Sequence, residues 1–323
     1  MAIDTAQPKG IVRLGDLRDL IVLGGGSALA TAVPARFDEA AARALFDLFR
    51  RVRSGRLSSV ARAIEAALPE RRGEGTRLAR IHAEMRLEDF WGRLRAIGPR
   101  PWRPEIELLG KHHVEDAEKR GCGVVLWCTR TASATAIKQA FHYAGLPLCH
   151  LSRVRHGATS ESRFALRLVS PLYCRAENRY LRDRIRIPLG GSLTYLNTLR
   201  SHLRANERVS IFGEHRGRQN IQADFLGSVR SFATGAPSLA WIENSGLLVV
   251  HALRLGPFHY RVVVDRPIHV DRSISRKTFA VQAVAEFVRR LEAIVEKRPQ
   301  DWQGWSDWDV ARTSVQSGLT ASG

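Results

Sequence analysis

Glu214 and His215 are the adjacent carboxylate and imidazole that follow a run reading as a core strand, Val209 to Phe212, and they are the best acid/base pair the chain offers. A carboxylate beside an imidazole raises the ring's proton affinity and steadies its charge. Side chains alternate along a strand, so the two face opposite ways unless the chain turns. Gly213 and Gly217 make such a turn plausible. The pair is therefore expected to line a cleft with Arg153 and hold a polar head group, without performing proton transfer. A second place for chemistry is Cys128-Thr129-Arg130-Thr131-Ala132-Ser133-Ala134-Thr135, which follows the apolar run Gly123 to Trp127. The carboxyl end of such a strand is where α/β proteins seat ligands. This turn offers a guanidinium and hydroxyls but no imidazole or carboxylate. A guanidinium stays protonated and has no acceptor, so Arg130 is a candidate anion contact and cannot be a general base. His113 and Glu118 are five apart on a helical stretch, a spacing that splays them, and they read as surface.

These residues need a scaffold, and the pattern supplies one. Residues 1–100 read as an N-terminal helical region: Asp38 is placed to cap a helix striped by Leu45, Leu48, Phe49 and Val52. A second helix starts at Ser58 or Ser59 and stops at Pro69, and a third runs from Leu78 to about Ile97. The stretch Leu20 to Ala35 contains Gly24-Gly25-Gly26 and is expected to form an interfacial or buried hairpin. After a stiff connector at residues 98–104, strands and helices alternate over 101–312. Strands are expected at Val124, Leu146–Leu151, Val209–Phe212, Leu247–Leu253 and His259–Val264. Helices are expected from Val114 to Arg120, after Ser192, from Ala236 to Asn244 and from Lys277 to Lys297, the last carrying Val281, Val284, Phe287, Leu291 and Ile294. That alternation argues for an α/β fold, a central mixed sheet flanked by helices. Residues 313–323 are small and polar and read as a loose tail.

The chain has 323 residues and a formal charge of +18, supplied mostly by arginine along its whole length. Such a charge suits an anionic membrane surface, a phosphorylated ligand or an acidic partner. Compositional bias accounts for it equally well. Nucleic acid is a further partner for so basic a chain, but no recognisable nucleic-acid motif accompanies the charge. No run approaches the ~20 apolar residues that span a bilayer. Cys122, Cys128, Cys149 and Cys174 show no paired CxxC spacing, so neither a metal site nor a disulfide framework is indicated. The run Arg175, Arg179, Arg182, Arg184, Arg186, with Tyr173 and Tyr180, reads as a solvated helix face or as a grip on phosphates. Trp302, Trp305 and Trp308 read as core or membrane-interface anchors.

The order of several motifs resembles the lysophospholipid acyltransferase superfamily, in particular the late acyltransferases of lipid A biosynthesis, which transfer lauroyl or myristoyl groups. Glu118 to Leu126 looks like the family's helix-to-strand entry. Phe212-Gly213-Glu214-His215-Arg216-Gly217-Arg218 is similar to its acidic motif after a central strand. Asp224-Phe225-Leu226-Gly227, with Thr234-Gly235-Ala236-Pro237-Ser238-Leu239-Ala240, resembles its "FFG … G-x-A-x-LA" block. Ser245 to Val250 resembles a core strand with His251 where proline is usual, and Pro299 to Trp305 a closing "P-x-x-W-x-W" element. The resemblance spans about residues 105–308. It implies acyl transfer from an acyl carrier protein or coenzyme A thioester to a lipid hydroxyl, at the cytoplasmic face of the inner membrane, with no cofactor. It also implies that Arg130, Arg153, Glu214, His215, Arg216, Arg218, Thr234 and Gly235 line the substrate site, with Arg153 and Arg155 as contacts for an acceptor phosphate. The family's His-x4-Asp/Glu dyad falls by register on Arg130 and Thr135, so both halves are absent, and His215 with Glu214 is the replacement the chain offers if the chemistry is kept. The rival expectation is therefore a relative without the chemistry, which binds anionic lipid or an acylated carrier and does not turn it over.

Overall fold

The computed structural model describes residues 10–308 except 100–102, 155, 158–159, 161, 189–191 and 216. Arg216, Arg155 and the tail from 313 thus lie outside the described residues. The chain opens with four helices, α1 (Leu14–Ala32), α2 (Asp38–Val52), α3 (Ser54–Ala67) and α4 (Gly75–Ile97). It continues as β1 (Glu105–Leu109), α5 (Lys111–Glu118), β2 (Val124–Cys128), α6 (Ala134–Tyr143), β3 (Leu148–Arg153), α7 (Ser170–Asn178), β4 (Leu181–Ile187), α8 (Thr194–Arg204) and β5 (Arg208–Phe212). A hairpin of β6 (Asn220–Phe225) and β7 (Ser228–Ala233) precedes α9 (Gly235–Glu243), β8 (Gly246–Gly256), β9 (His259–Val264) and α10 (Arg276–Lys297).

Seven strands form one mixed sheet in the order β1-β9-β8-β2-β5-β3-β4. β8 and β9 pair as an antiparallel hairpin, and the other neighbours are parallel. β2 lies at the centre with all five residues buried, which is why its apolar run is unbroken. Val124, Leu126 and Cys128 face a core shared with α1, α4, α5 and α6. Val125 and Trp127 face the other core, shared with α3, α8, α9 and α10. Trp302, Trp305 and Trp308 are buried in this second core, Trp302 edge to face with each of the other two, so they are core residues.

Several expectations are corrected. The glycine triplet makes no hairpin: α1 runs straight through it. A Cβ on Gly26 would sit 3.0 Å from the Leu94 side chain, so the glycine lets α1 lie close on α4 and packing offsets its helix cost of about 1 kcal/mol. Asp38 does not cap α2; it accepts from Trp91 Nε1 at 2.7 Å and Arg95 Nε at 2.6 Å, tying α2 to α4. On α2, Leu48 and Val52 are exposed, as is Val281 on α10. The arginine run is not one helix face: it crosses the end of α7 into β4, an edge strand whose alternation buries Ile185. Charged residues on such an edge discourage further pairing. Short β1 and the β6–β7 hairpin also escaped the pattern. That hairpin turns on Leu226 and Gly227, both at positive φ, as a tight primed turn requires.

Candidate functional site

The turn after β2 is strapped by the C-terminal segment. Ala132 N–H donates to the Asp301 carbonyl at 2.7 Å, and Gln303 N–H donates to the Arg130 carbonyl at 2.8 Å. Gln303 Nε2 donates to the Ala132 carbonyl at 2.7 Å. Ala132 is held at φ 37°, a strained value for a residue with a Cβ, and these bonds on both sides fix it there. Ser133 then caps α6, accepting from Ala136 N–H at 3.0 Å.

Glu214 completes the strap. Its Oε1 accepts the Arg130 backbone N–H at 2.5 Å, and its Oε2 accepts Trp302 Nε1–H at 2.6 Å. Both oxygens thus join the ends of β5, β2 and the C-terminal segment, and neither orients His215. Burial raises the Glu214 pKa, against the opposing pull of the Arg130 amide and guanidinium. The turn expected at Gly213 is present and tight. A Cβ at that position would fall 2.2 Å from Trp127 Nε1.

A cleft of about 770 Å³ opens at this strand end, where Arg130, Arg153, Glu214, His215, Arg230 and Asp307 share the wall with Phe225, Phe232 and Trp302. Arg130 reaches Asp307 Oδ2 at 3.2 Å, so its guanidinium meets a carboxylate at the rim. Beside it lies a larger, mostly apolar chamber of about 1010 Å³ between β3, β5, α8 and α9. Leu151, Leu193, Leu196, Ile211 and Leu239 give it apolar walls, and Arg218, Thr234 and Gly235 lie on its boundary. Arg153 and His215 belong to both compartments. Desolvation in the cleft lowers the His215 pKa, and Arg130 and Arg153 push the same way. The ring is still open to solvent, which tempers the first cause, but all three favour a neutral imidazole.

The expected site residues therefore converge, with three exceptions. Arg155 and Arg216 are not described. Thr135 is fully buried within α6, where its hydroxyl has no hydrogen-bond partner among the described residues, so the second dyad position does not reach the cleft. His113 and Glu118 are separate: His113 packs on His112, and Glu118 pairs with Arg208.

An imidazole–carboxylate contact that no spacing announces lies on the chamber wall. His156 lines the chamber, and its Nε2 donates to Glu177 Oε2 at 3.0 Å. The same oxygen receives Lys138 Nζ at 2.6 Å and Arg184 Nη2 at 2.7 Å. Burial opposes charge on Glu177, yet Lys138, His156 and Arg184 hold its carboxyl well below the usual range. Desolvation lowers the His156 pKa despite that carboxylate, leaving a neutral ring with Nδ1 as its acceptor nitrogen. His150, on the same chamber wall, meets Ser210 Oγ at 2.9 Å. The residues of the His156–Glu177 contact are distant in sequence and form no motif, so only the fold brings them together.

No protein-family model matches the chain, and no curated protein matches it.

Proposed function

We propose that this protein binds an acyl-bearing anionic amphiphile, a lipid or an acyl thioester, with its charged head in the arginine-lined cleft and its chain in the apolar chamber. One observation carries the reading: the two compartments meet at Arg153 and His215, so one ligand can fill both. Guanidinium groups suit phosphate, and mostly apolar concave walls suit a hydrocarbon chain. The motif order that resembles lipid A late acyltransferases supports the same ligand class, with coenzyme A or an acyl carrier protein as the carrier of the acyl group. We also place the protein peripherally at the cytoplasmic face of an inner membrane. No single helix among the described residues is long and apolar enough to cross a membrane. Leu14, Leu17 and Ile21, however, present an exposed apolar stripe on α1, and a +18 chain is attracted to an anionic leaflet.

Acyl transfer is the second reading, favoured by the His156–Glu177 contact on the chamber wall. In it a neutral His156 accepts the proton of the acceptor hydroxyl as the oxygen attacks the thioester carbonyl. The tetrahedral intermediate then expels the thiolate, which takes that proton from the His156 imidazolium and leaves the ring neutral. Titration calorimetry with myristoyl-coenzyme A tests the binding reading, and release of free thiol in the presence of a lysophospholipid tests the second. Arg153→Ala is expected to weaken binding about 10- to 100-fold, the range for a lost hydrogen bond to a charged group. It should leave a neutral long-chain alcohol unaffected. Absence of binding, or an Arg153→Ala variant that binds like the parent, refutes the ligand assignment. Thiol release that survives His156→Ala refutes that residue as the base.

A further inference from the structure

At the amino-terminal ends of the parallel strands, opposite the cleft, three donor atoms converge from three segments. Cys149 comes from β3, His202 from the last turn of α8, and Glu207 from the link into β5. Cys149 Sγ lies 3.3 Å from His202 Nδ1 and 3.3 Å from Glu207 Oε2, and these two atoms are 2.6 Å apart. A tetrahedral zinc ion with Zn–S about 2.3 Å and Zn–N and Zn–O about 2.0 Å needs donor separations of roughly 3.5 Å to sulfur and roughly 3.3 Å between nitrogen and oxygen. The sulfur distances fit as they stand. The third edge, 2.6 Å, is that of a hydrogen bond and must lengthen when an ion replaces the proton. Independently, the other ring nitrogen of His202, Nε2, meets Asp183 Oδ2 on β4 at 3.1 Å. A carboxylate on the far nitrogen is the arrangement that orients a metal-binding imidazole. Arg182 holds the outer oxygen of Glu207, Oε1, at 2.8 Å, which leaves Oε2 turned toward the other donors.

We propose that Cys149, His202 and Glu207 bind a zinc-type divalent ion, with Asp183 orienting His202 and a water as fourth ligand. His202 and Glu207 are each about one-fifth exposed, so the cluster is open to solvent on their side. Binding deprotonates the thiol and releases that proton to solvent. A thiolate with an imidazole selects zinc over magnesium or calcium. Such an ion would pin the end of α8 to β3 and β5. Because α8 also walls the chamber, the site is a structural clamp on one side of it.

The test uses the full chain, reduced, stripped with chelator and titrated with cobalt(II). One equivalent should produce a thiolate-to-cobalt charge-transfer band, which zinc then abolishes. Cys149→Ser should lose the band, and Cys122→Ser, which alters a thiol outside the cluster, should keep it. Asp183→Asn should keep the stoichiometry and bind about 10- to 100-fold more weakly. Should Cys149→Ser fail to fold, His202→Gln, checked by circular dichroism, must show the loss instead. No band at one equivalent, a band that survives Cys149→Ser or His202→Gln, or Asp183→Asn binding as tightly as the parent each overturns the assignment. None of these readouts depends on the ligand of the cleft.

Discussion

Gly235 offers a direct measurement of how the chamber is used. It is the first residue of α9 and lines the chamber, and a Cβ built on it meets nothing within 4 Å. Its φ is not in the left-handed region, so a side chain there strains no backbone, and replacing glycine in a helix's first turn favours the helix slightly. Gly235→Phe is expected to put a benzyl group at the chamber wall and should leave folding intact. That group displaces roughly four methylenes of a bound chain, each worth about 0.8 kcal/mol. The loss is then about 3.2 kcal/mol, or roughly two-hundredfold in affinity. It should fall only on chains long enough to reach that depth. The assay is calorimetric titration with coenzyme A thioesters of graded chain length. For the parent, affinity should rise about fourfold per methylene and then level off where the chamber is full. For Gly235→Phe the rise should have the same slope and level off about four carbons earlier. Affinity independent of chain length in the parent, or a plateau that the phenylalanine does not move, would refute an acyl chain in this chamber.

Acid sensitivity should run partly through His82, which is buried and held to about pKa 4 by desolvation and Arg86, with Nδ1–H donated to the Gln300 carbonyl at 3.0 Å. Its folded pKa is below the ordinary 6.5, so the unfolded chain binds the proton first. Stability is complete above about pH 6.5 and falls as pH drops toward 4, by about 2 kcal/mol between pH 7 and 5. His82→Asn keeps an N–H for Gln300 and removes the titration, so denaturation profiles at the two pH values should differ less for the variant; parallel losses would count against His82. Leu14→Glu with Ile21→Glu changes two residues 88% and 70% exposed on α1 and should spare folding. Sedimentation with anionic vesicles should fall at least tenfold in the double variant, at about 1.5–3 kcal/mol per buried side chain, and should weaken with salt in the parent. Undiminished binding, or equal binding to neutral vesicles at high salt, argues against a membrane-facing α1.

Features set by local periodicity were legible in the chain itself. Val124 to Trp127 reads as a buried strand because a strand enclosed on both faces and both edges has no polar position to show. The lack of acid/base residues in the turn that follows was legible too, since side-chain chemistry needs no coordinates. α3, α4, α8 and α10 announced themselves through apolar spacing and stop signals such as Pro69. Where burial depends on distant partners, periodicity misleads. Gly24-Gly25-Gly26 breaks a helix in isolation, and the approach of α4 stabilises it here. β4 carries too few apolar residues to look like a strand, because an edge strand is half solvated and its pairing energy comes from β3. Glu214 beside His215 suggested a pair in the sequence. The fold instead spends both carboxylate oxygens on an amide of Arg130 and an indole of Trp302. His156 with Glu177, and Cys149 with His202 and Glu207, lie 21 to 58 residues apart except where α8 ends. Hydrogen bonding and coordination act over about 3 Å, and no one-dimensional pattern encodes which distant side chains a sheet's strand order will bring that close.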